Sequence, residues 1–213
     1  MPSPTPDDEA ARIYARVRAD LERERGIRAW LRARPTPLRV AMLLSAATAI
    51  SALGAWVLAG GLADRSATGW VSATGLVVAL AFAVIAALRP IHLPEGSDAS
   101  RALLVLGIAL SSLAAIVASG DGTVGALASG RCALIGLAVG VPVFAVSLLV
   151  ARHPSRGAVF RGLVGGIAGA LAVQLVCPAP GLAHLVVEHF GVVLLGAVLF
   201  GSAGALFARR AHT

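Results

Sequence analysis

The sequence has little charge and no lysine. Only 14% of its 213 residues are charged, all eighteen basic residues are arginines, and the mean hydropathy is +0.83. A water-soluble domain of this size needs far more polar surface, so that class is excluded. The net charge of +7 does not indicate nucleic-acid binding, because membrane proteins gather arginine on one side for insertion alone. We expect a membrane protein with no direct nucleic-acid partner. The absence of lysine beside abundant Ala, Gly, Val and Arg is typical of a GC-rich bacterial genome.

The chain also lacks the motifs of common enzyme classes. It contains no glycine-rich phosphate loop, no HExxH and no GxSxG. Its two cysteines do not form a CxxC pair, which argues against a membrane disulfide oxidoreductase. Ser111 and Ser112 lie within an apolar segment that has no histidine near its middle, which argues against an intramembrane serine protease. We therefore expect that the protein is not an enzyme. Neither a secretory signal nor a lipidation motif is evident.

Apolar segments fill most of the chain after residue 37. Each is long enough to cross a hydrocarbon core of about 30 Å, and the third is the shortest. The six segments lie at about 38–60, 70–88, 102–119, 132–151, 159–177 and 186–208. The predicted fold class is all-α, a polytopic membrane protein with six transmembrane helices and a short cytoplasmic N-terminal amphipathic helix. The predicted domains are an N-terminal arm at 1–37 and a transmembrane domain at 38–210.

Arginine placement predicts the orientation. Sixteen arginines lie in the N-terminal segment through Arg39, in alternate loops and at the C-terminus, whereas the other loops carry only Arg65 and Arg131. Cytoplasmic segments are enriched in arginine, so both termini are predicted to be cytoplasmic. An even number of spans agrees with that orientation. The predicted location is the bacterial inner membrane.

The N-terminal arm is predicted to form a helix over about residues 5–34. Acidic residues follow a capping Thr5, and Gly26 is a candidate break before a second apolar cluster that includes Trp30. A first apolar stripe precedes the break and includes Ile13, Tyr14, Val17 and Leu21. Two interpretations stay open: the arm lies against lipid headgroups, or its first stripe docks into a cytosolic partner.

Small residues dominate the later segments. Segments four, five and six carry glycines at GxxxG or similar spacings, including Gly136, Gly140, Gly165 and Gly169. Small residues let helix backbones approach closely in lipid, so these helices are predicted to form a compact bundle. Few ionisable residues lie deep in any segment, which argues against an ion-coupled transporter.

The only two cysteines are predicted to share one rim of the bundle. Cys132 begins segment four and Cys177 ends segment five, so antiparallel neighbouring helices bring both to the outer side, where disulfides persist. His184, Glu188 and His189 follow and have side chains that metals bind. Three interpretations stay open: a redox-active or disulfide-forming pair, a metal site, or inert cysteines with interfacial histidines. No cofactor is expected other than a possible metal ion at this rim.

The C-terminal half has a characteristic order. It reads "RCALIGLAVGVPVFAVSLLVARHPSRG", then "FRGLVGGIAGALAVQLVCPAPGLAHLVVEHFG", then "VLLGAVLFGSAGALFARR". A cysteine opens span four, Pro142 follows in it, span five ends in "CP", and a histidine-containing turn leads to a glycine-rich last span. Over about residues 131–210 this resembles the NrsF-type (negative regulator of sigma F) family of six-span anti-sigma factors. It is also similar to light-response membrane anti-sigma factors of myxobacteria.

The resemblance implies a function. Such proteins hold an extracytoplasmic-function sigma factor at the inner membrane and release it on an envelope signal, here redox, metal or light-linked. It also implies that Cys132 and Cys177 take part in sensing. The expected partners are that sigma factor and membrane lipids. The alternatives are a small membrane transporter or channel and a structural subunit of a membrane complex.

Overall fold

The computed structural model describes residues 11, 14–15, 26–59, 67–89, 101–110, 130–151, 157–177 and 184–210. Within these ranges the chain is helical and contains no strand, which confirms the predicted all-α class. The helices are α1 (Ile27–Ala33), α2 (Thr36–Ala59), α3 (Ala67–Ala87), α4 (Arg101–Leu110), α5 (Arg131–Val150), α6 (Ala158–Val176) and α7 (Gly191–Arg210). A π-helical turn, Leu185–Phe190, leads directly into α7.

Five of these helices are long and apolar enough to cross a membrane. The candidate spans are Thr36–Leu58, Gly69–Ala87, Arg131–Val150, Ala158–Val176 and Val187–Leu206. They match five of the six predicted segments, with ends that differ by at most two residues. The remaining predicted segment begins with the ten-residue helix α4, and residues 111–119 lie outside the described residues. The count of six spans therefore stays a prediction.

The arm is described only in part. Gly26 has a φ of 91°, a left-handed value that favours glycine, and α1 begins at the next residue. Of the predicted first stripe, Tyr14 is helical and 77% exposed, whereas Ile13, Val17 and Leu21 lie outside the described residues. In the second cluster Trp30 is half exposed and carries the Arg34 guanidinium 4.2 Å from its ring centroid, while Leu31 is buried.

Helix α6 is the centre of the bundle. It contacts α2, α3, α5 and α7, and every residue from 160 to 174 is buried. The glycine pattern predicted close packing of the last three long helices, and the structure adds that α2 and α3 also pack on α6. Ser51 of α2 donates a hydrogen bond to the Ala168 carbonyl of α6, which joins these helices near mid-height.

Glycines set the spacing between α6 and its neighbours. A Cβ at Gly169 would collide with the Gly136 carbonyl oxygen of α5, and a Cβ at Gly165 would lie 3.0 Å from the Gly140 carbonyl oxygen. On the other side, a Cβ at Gly166 would lie 2.7 Å from the Val193 carbonyl oxygen of α7. These backbones pack too closely for any larger residue, so the stripe of small residues serves packing.

The helices alternate in direction, so the bundle has two distinct ends. We call the end with Cys132 and Cys177 the thiol end, and the end where α1 lies the arm end. Helix α5 runs from the thiol end to the arm end, and α6 returns. This arrangement places the two cysteines at one end, as the order of the segments predicted.

Candidate functional site: a thiol cluster at the start of α5

The candidate site lies where α5 begins, α6 ends and the π-helical turn passes between them. Cys132 is the second residue of α5, and Cys177 follows α6 in an extended conformation. Gly130, with a φ of 69°, precedes α5 and allows the chain to turn sharply into the helix. The turn at Leu185–Phe190 then brings Glu188 and His189 to the same end.

Three side chains meet at this site. The sulfur atoms of Cys132 and Cys177 and a ring nitrogen of His184 all lie within 4.8 Å of one another. The Cys177 sulfur is 3.3 Å from His184 Nε2, which is hydrogen-bonding distance for sulfur. Cys132 is half-buried, Cys177 is buried, and the two are not joined by a disulfide. We call these three residues the thiol cluster.

The side chain of Glu188 suggested a metal ligand, but in the structure its carboxylate binds backbone amides at the start of α5. Its Oε1 accepts a hydrogen bond from the Gly130 N–H at 2.9 Å, and its Oε2 accepts one from the Cys132 N–H at 2.9 Å. A third, from the Ala133 N–H, is 3.3 Å long. The first backbone amides of a helix lack partners within the helix and carry a partial positive charge. The buried Glu188 carboxylate therefore caps α5.

His184 contacts both Glu188 and the second histidine, His189. His184 Nδ1 is 3.7 Å from Glu188 Oε1, so the pair four residues apart shares one face, and the contact directs Nε2 towards Cys177. The His189 ring is buried and meets the His184 ring edge-on, with centroids 5.4 Å apart. Of the three predicted metal ligands, the structure thus brings His184 within 4.8 Å of both sulfur atoms, whereas Glu188 caps α5 and His189 contacts the His184 ring.

The cluster has the donors for two kinds of chemistry. Two thiols this close can be joined as a disulfide after a small approach, since bonded sulfurs are about 2 Å apart. Two thiolates and an imidazole nitrogen also fit a zinc-type ion, which prefers sulfur and nitrogen ligands. Cys132, Cys177 and His184 would hold such an ion, which when bound would tie the start of α5 to the end of α6.

The opposite end of α5 contacts the arm. Helix α1 packs against α5, and Leu31 is its most buried apolar residue. The buried Arg39 of α2 donates a hydrogen bond from Nη1 to the Val150 carbonyl at 3.1 Å and another from Nη2 to Thr36 Oγ1 at 3.0 Å. Val150 is the last residue of α5. Helix α5 thus extends from the thiol cluster at one end to α1 and the first turns of α2 at the other.

Sequence reasoning placed the cysteines and His184 at one rim but missed both capping contacts. Glu188 and the amides that it binds are 55 to 58 residues apart, and Arg39 and Val150 are 111 apart. An acidic residue near the start of the last span and an arginine near the start of the first were the only signals. No family model, curated protein or solved structure matches the chain.

Proposed function

We propose that this protein is a membrane-bound anti-sigma factor of the bacterial inner membrane. Its N-terminal arm binds an extracytoplasmic-function sigma factor, and a chemical change at the thiol cluster releases it. The resemblance over about residues 131–210 and the five long apolar helices support this proposal. The observation that carries it is that α5 begins in the thiol cluster and ends against α1.

Helix α5 supplies a mechanical connection between signal and arm. A helix of 20 residues is about 30 Å long, and α5 stays helical from Arg131 to Val150 although Pro142 removes one of its internal hydrogen bonds. Movement at Cys132 therefore reaches Val150, where Arg39 and α1 make contact. For this movement to act as a signal, the two positions of α5 must differ in the affinity of the arm for its partner.

Two stimuli would move α5 at this site. Oxidation of both thiols to a disulfide releases two protons and passes two electrons to a periplasmic disulfide or peroxide, and it draws the sulfurs together from as far as 4.8 Å. A thiophilic metal ion would hold the same sulfurs with His184. Either change acts on Cys132, whose N–H is bound to Glu188, and so alters the start of α5.

The test uses the full-length protein with a C-terminal tag, purified in detergent from its native host. With reductant and chelator present, we expect one extracytoplasmic-function sigma factor to co-purify. Diamide or zinc should lower the recovered amount at least tenfold. The Cys132→Ser, Cys177→Ser variant is the matched control, since it leaves Glu188 in place, and it should keep the sigma factor under all conditions.

Variants of the arm locate the binding element. Tyr14→Ala and Leu21→Ala should weaken capture, whereas Ile27→Ala, at the exposed first residue of α1, should not. Failure of the full chain to capture any sigma factor, or release from the double serine variant, would contradict the proposal.

Solute movement through liposomes containing the protein would instead favour the transporter alternative. The structure offers that alternative little support. Within the described spans the buried charged side chains, Arg39, Arg161 and Glu188, lie near the two ends, whereas ion-coupled transporters use charges near the midplane.

A further inference from the structure

A second candidate site lies at the arm end, away from the thiol cluster. A groove of about 350 Å³ runs between α2, α3 and α4. Its lining consists of Thr36, Val40, Phe82, Ile85, Ala86, Arg89, Arg101, Leu104 and Val105. Phe82, Ile85 and Leu104 are each between 44% and 54% exposed, so the apolar wall opens outwards rather than into the core.

The groove has one charged part and one apolar part. Arg89 follows the end of α3 and Arg101 begins α4, so both guanidinium groups belong to the arm end, while Phe82, Ile85 and Leu104 extend towards the middle of the bundle. None of the nine lining residues that the structure describes is acidic. Among those nine, the polar group besides the two arginines is the Thr36 hydroxyl, which accepts a hydrogen bond from Arg39. The two arginines are therefore complementary to an anion, and the apolar wall is complementary to a hydrocarbon chain.

These two requirements identify a class of ligand. A soluble anion would pair with the arginines but leave the apolar wall bare, and a neutral lipid would cover the wall but leave two guanidinium groups without an anion. A phospholipid with a net negative headgroup satisfies both, because arginine binds phosphate through paired hydrogen bonds. Basic pockets between transmembrane helices at the cytoplasmic side bind such headgroups.

The height of the groove agrees with this ligand. Trp30, half exposed and stacked with Arg34, lies at the same end of the bundle, and tryptophan gathers at the level of the headgroups. Among the described residues, Arg131 is the only arginine at the thiol end and the other arginines lie at this end, which indicates the cytoplasmic leaflet, where anionic lipids face the cell interior.

We propose that the groove between α2, α3 and α4 binds one anionic phospholipid, with its phosphate between Arg89 and Arg101 and an acyl chain along Phe82, Ile85 and Leu104. The proposal does not depend on sigma-factor binding. Because α2 also carries Arg39, a lipid seated here supports the helix that holds the end of α5.

The test uses the full-length protein in detergent with added dioleoyl phosphatidylglycerol or dioleoyl phosphatidylcholine. Native mass spectrometry counts bound lipid, and thermal unfolding reports stabilisation. We expect saturable retention of one phosphatidylglycerol, at least tenfold more than of phosphatidylcholine, with a matching rise in Tm. Equal retention of the two lipids would overturn the proposal.

Variants separate charge from shape. Arg89→Gln with Arg101→Gln should lower phosphatidylglycerol retention about tenfold or more, since it removes the charge-assisted hydrogen bonds to the phosphate. Arg28→Gln with Arg131→Gln, which removes two exposed arginines outside the groove, is the matched control and should retain the lipid. Ala86→Phe fills the groove without changing charge and should abolish retention.

Equal losses in the groove and control double variants, or full retention by Ala86→Phe, would contradict the site. Glycerol phosphate, which has the anion but no acyl chain, should produce no rise in Tm. An equal rise with glycerol phosphate would assign the arginines to a soluble anion instead.

Discussion

The two ends of α5 are held by side chains of opposite charge. At its start, the Glu188 carboxylate accepts hydrogen bonds from three backbone amides, and at its end the Arg39 guanidinium donates to the Val150 carbonyl. Each charge complements the partial charge of the helix terminus that it contacts. The surroundings of the two side chains differ. Glu188 lies at the end of the bundle that holds the two thiols and two histidines, whereas Arg39 is hydrogen-bonded to a threonine in the first turn of α2.

The difference in surroundings gives the two ends of α5 different chemical properties. The thiol end offers groups that oxidants and metals attack, so chemistry can act there. The arm end, within the described residues, has no cysteine or histidine, and α5 contacts it through packing and hydrogen bonds. On the function proposed above, a signal received at the thiol end would be separated from the contact that it alters at the arm end.

The largest effect is expected from removing the cap at the thiol end. Glu188→Ala leaves the Gly130, Cys132 and Ala133 amides without their acceptor, and should lower the free energy of unfolding by about 3 kcal/mol. Denaturation in mixed micelles, followed by circular dichroism, measures the change. Glu188→Gln, which keeps one oxygen acceptor, should lose less. Equal stability of Glu188→Ala and wild type would show that the cap contributes nothing.

A somewhat smaller effect is expected from disturbing the close packing between α5 and α6. A methyl group at Gly169 meets the Gly136 carbonyl oxygen, so Gly169→Ala should push α5 from α6 and destabilise the protein by about 2 kcal/mol. The same micelle titration detects it. Gly107→Ala in α4, where a Cβ meets open space, is the control and should cause no loss.

Removal of the cap at the arm end should have a moderate effect. Arg39→Gln loses the charge at the end of α5 and should lower the free energy of unfolding by about 1 kcal/mol, because one carbonyl rather than three amides loses its partner. Arg28→Gln, an exposed change in α1, should be neutral. A loss as large as that of Glu188→Ala would remove the contrast between the two ends.

The smallest effect on stability is expected from the thiol itself. Cys132→Ser changes a half-buried sulfur to a hydroxyl and leaves the backbone contact with Glu188, so the reduced protein should change by less than about 0.5 kcal/mol. The same variant should no longer form the intramolecular disulfide, which maleimide labelling after diamide treatment would detect. A large destabilisation would mean that Cys132 serves packing rather than sensing.

Part of this architecture follows from the amino-acid sequence alone. Hydropathy is a property of each segment by itself, and it located the ends of the five candidate spans to within two residues. The direction of each helix follows from the order of the segments, so Cys132 and Cys177 had to share one end. Gly26, the candidate break, likewise directly precedes the first residue of α1, and its freedom from a side chain allows its positive φ.

Only the tertiary structure decided which helix is central and what holds the ends of α5. All five long helices are similarly apolar, so hydropathy does not reveal that α6 is surrounded on every side while the others keep an exposed face. The contacts of Glu188 and Arg39 join residues far apart in the chain, and their side chains alone suit a metal site or a membrane boundary equally well. A side chain's type states which bonds it can make, whereas the folded neighbours decide which bond it does make.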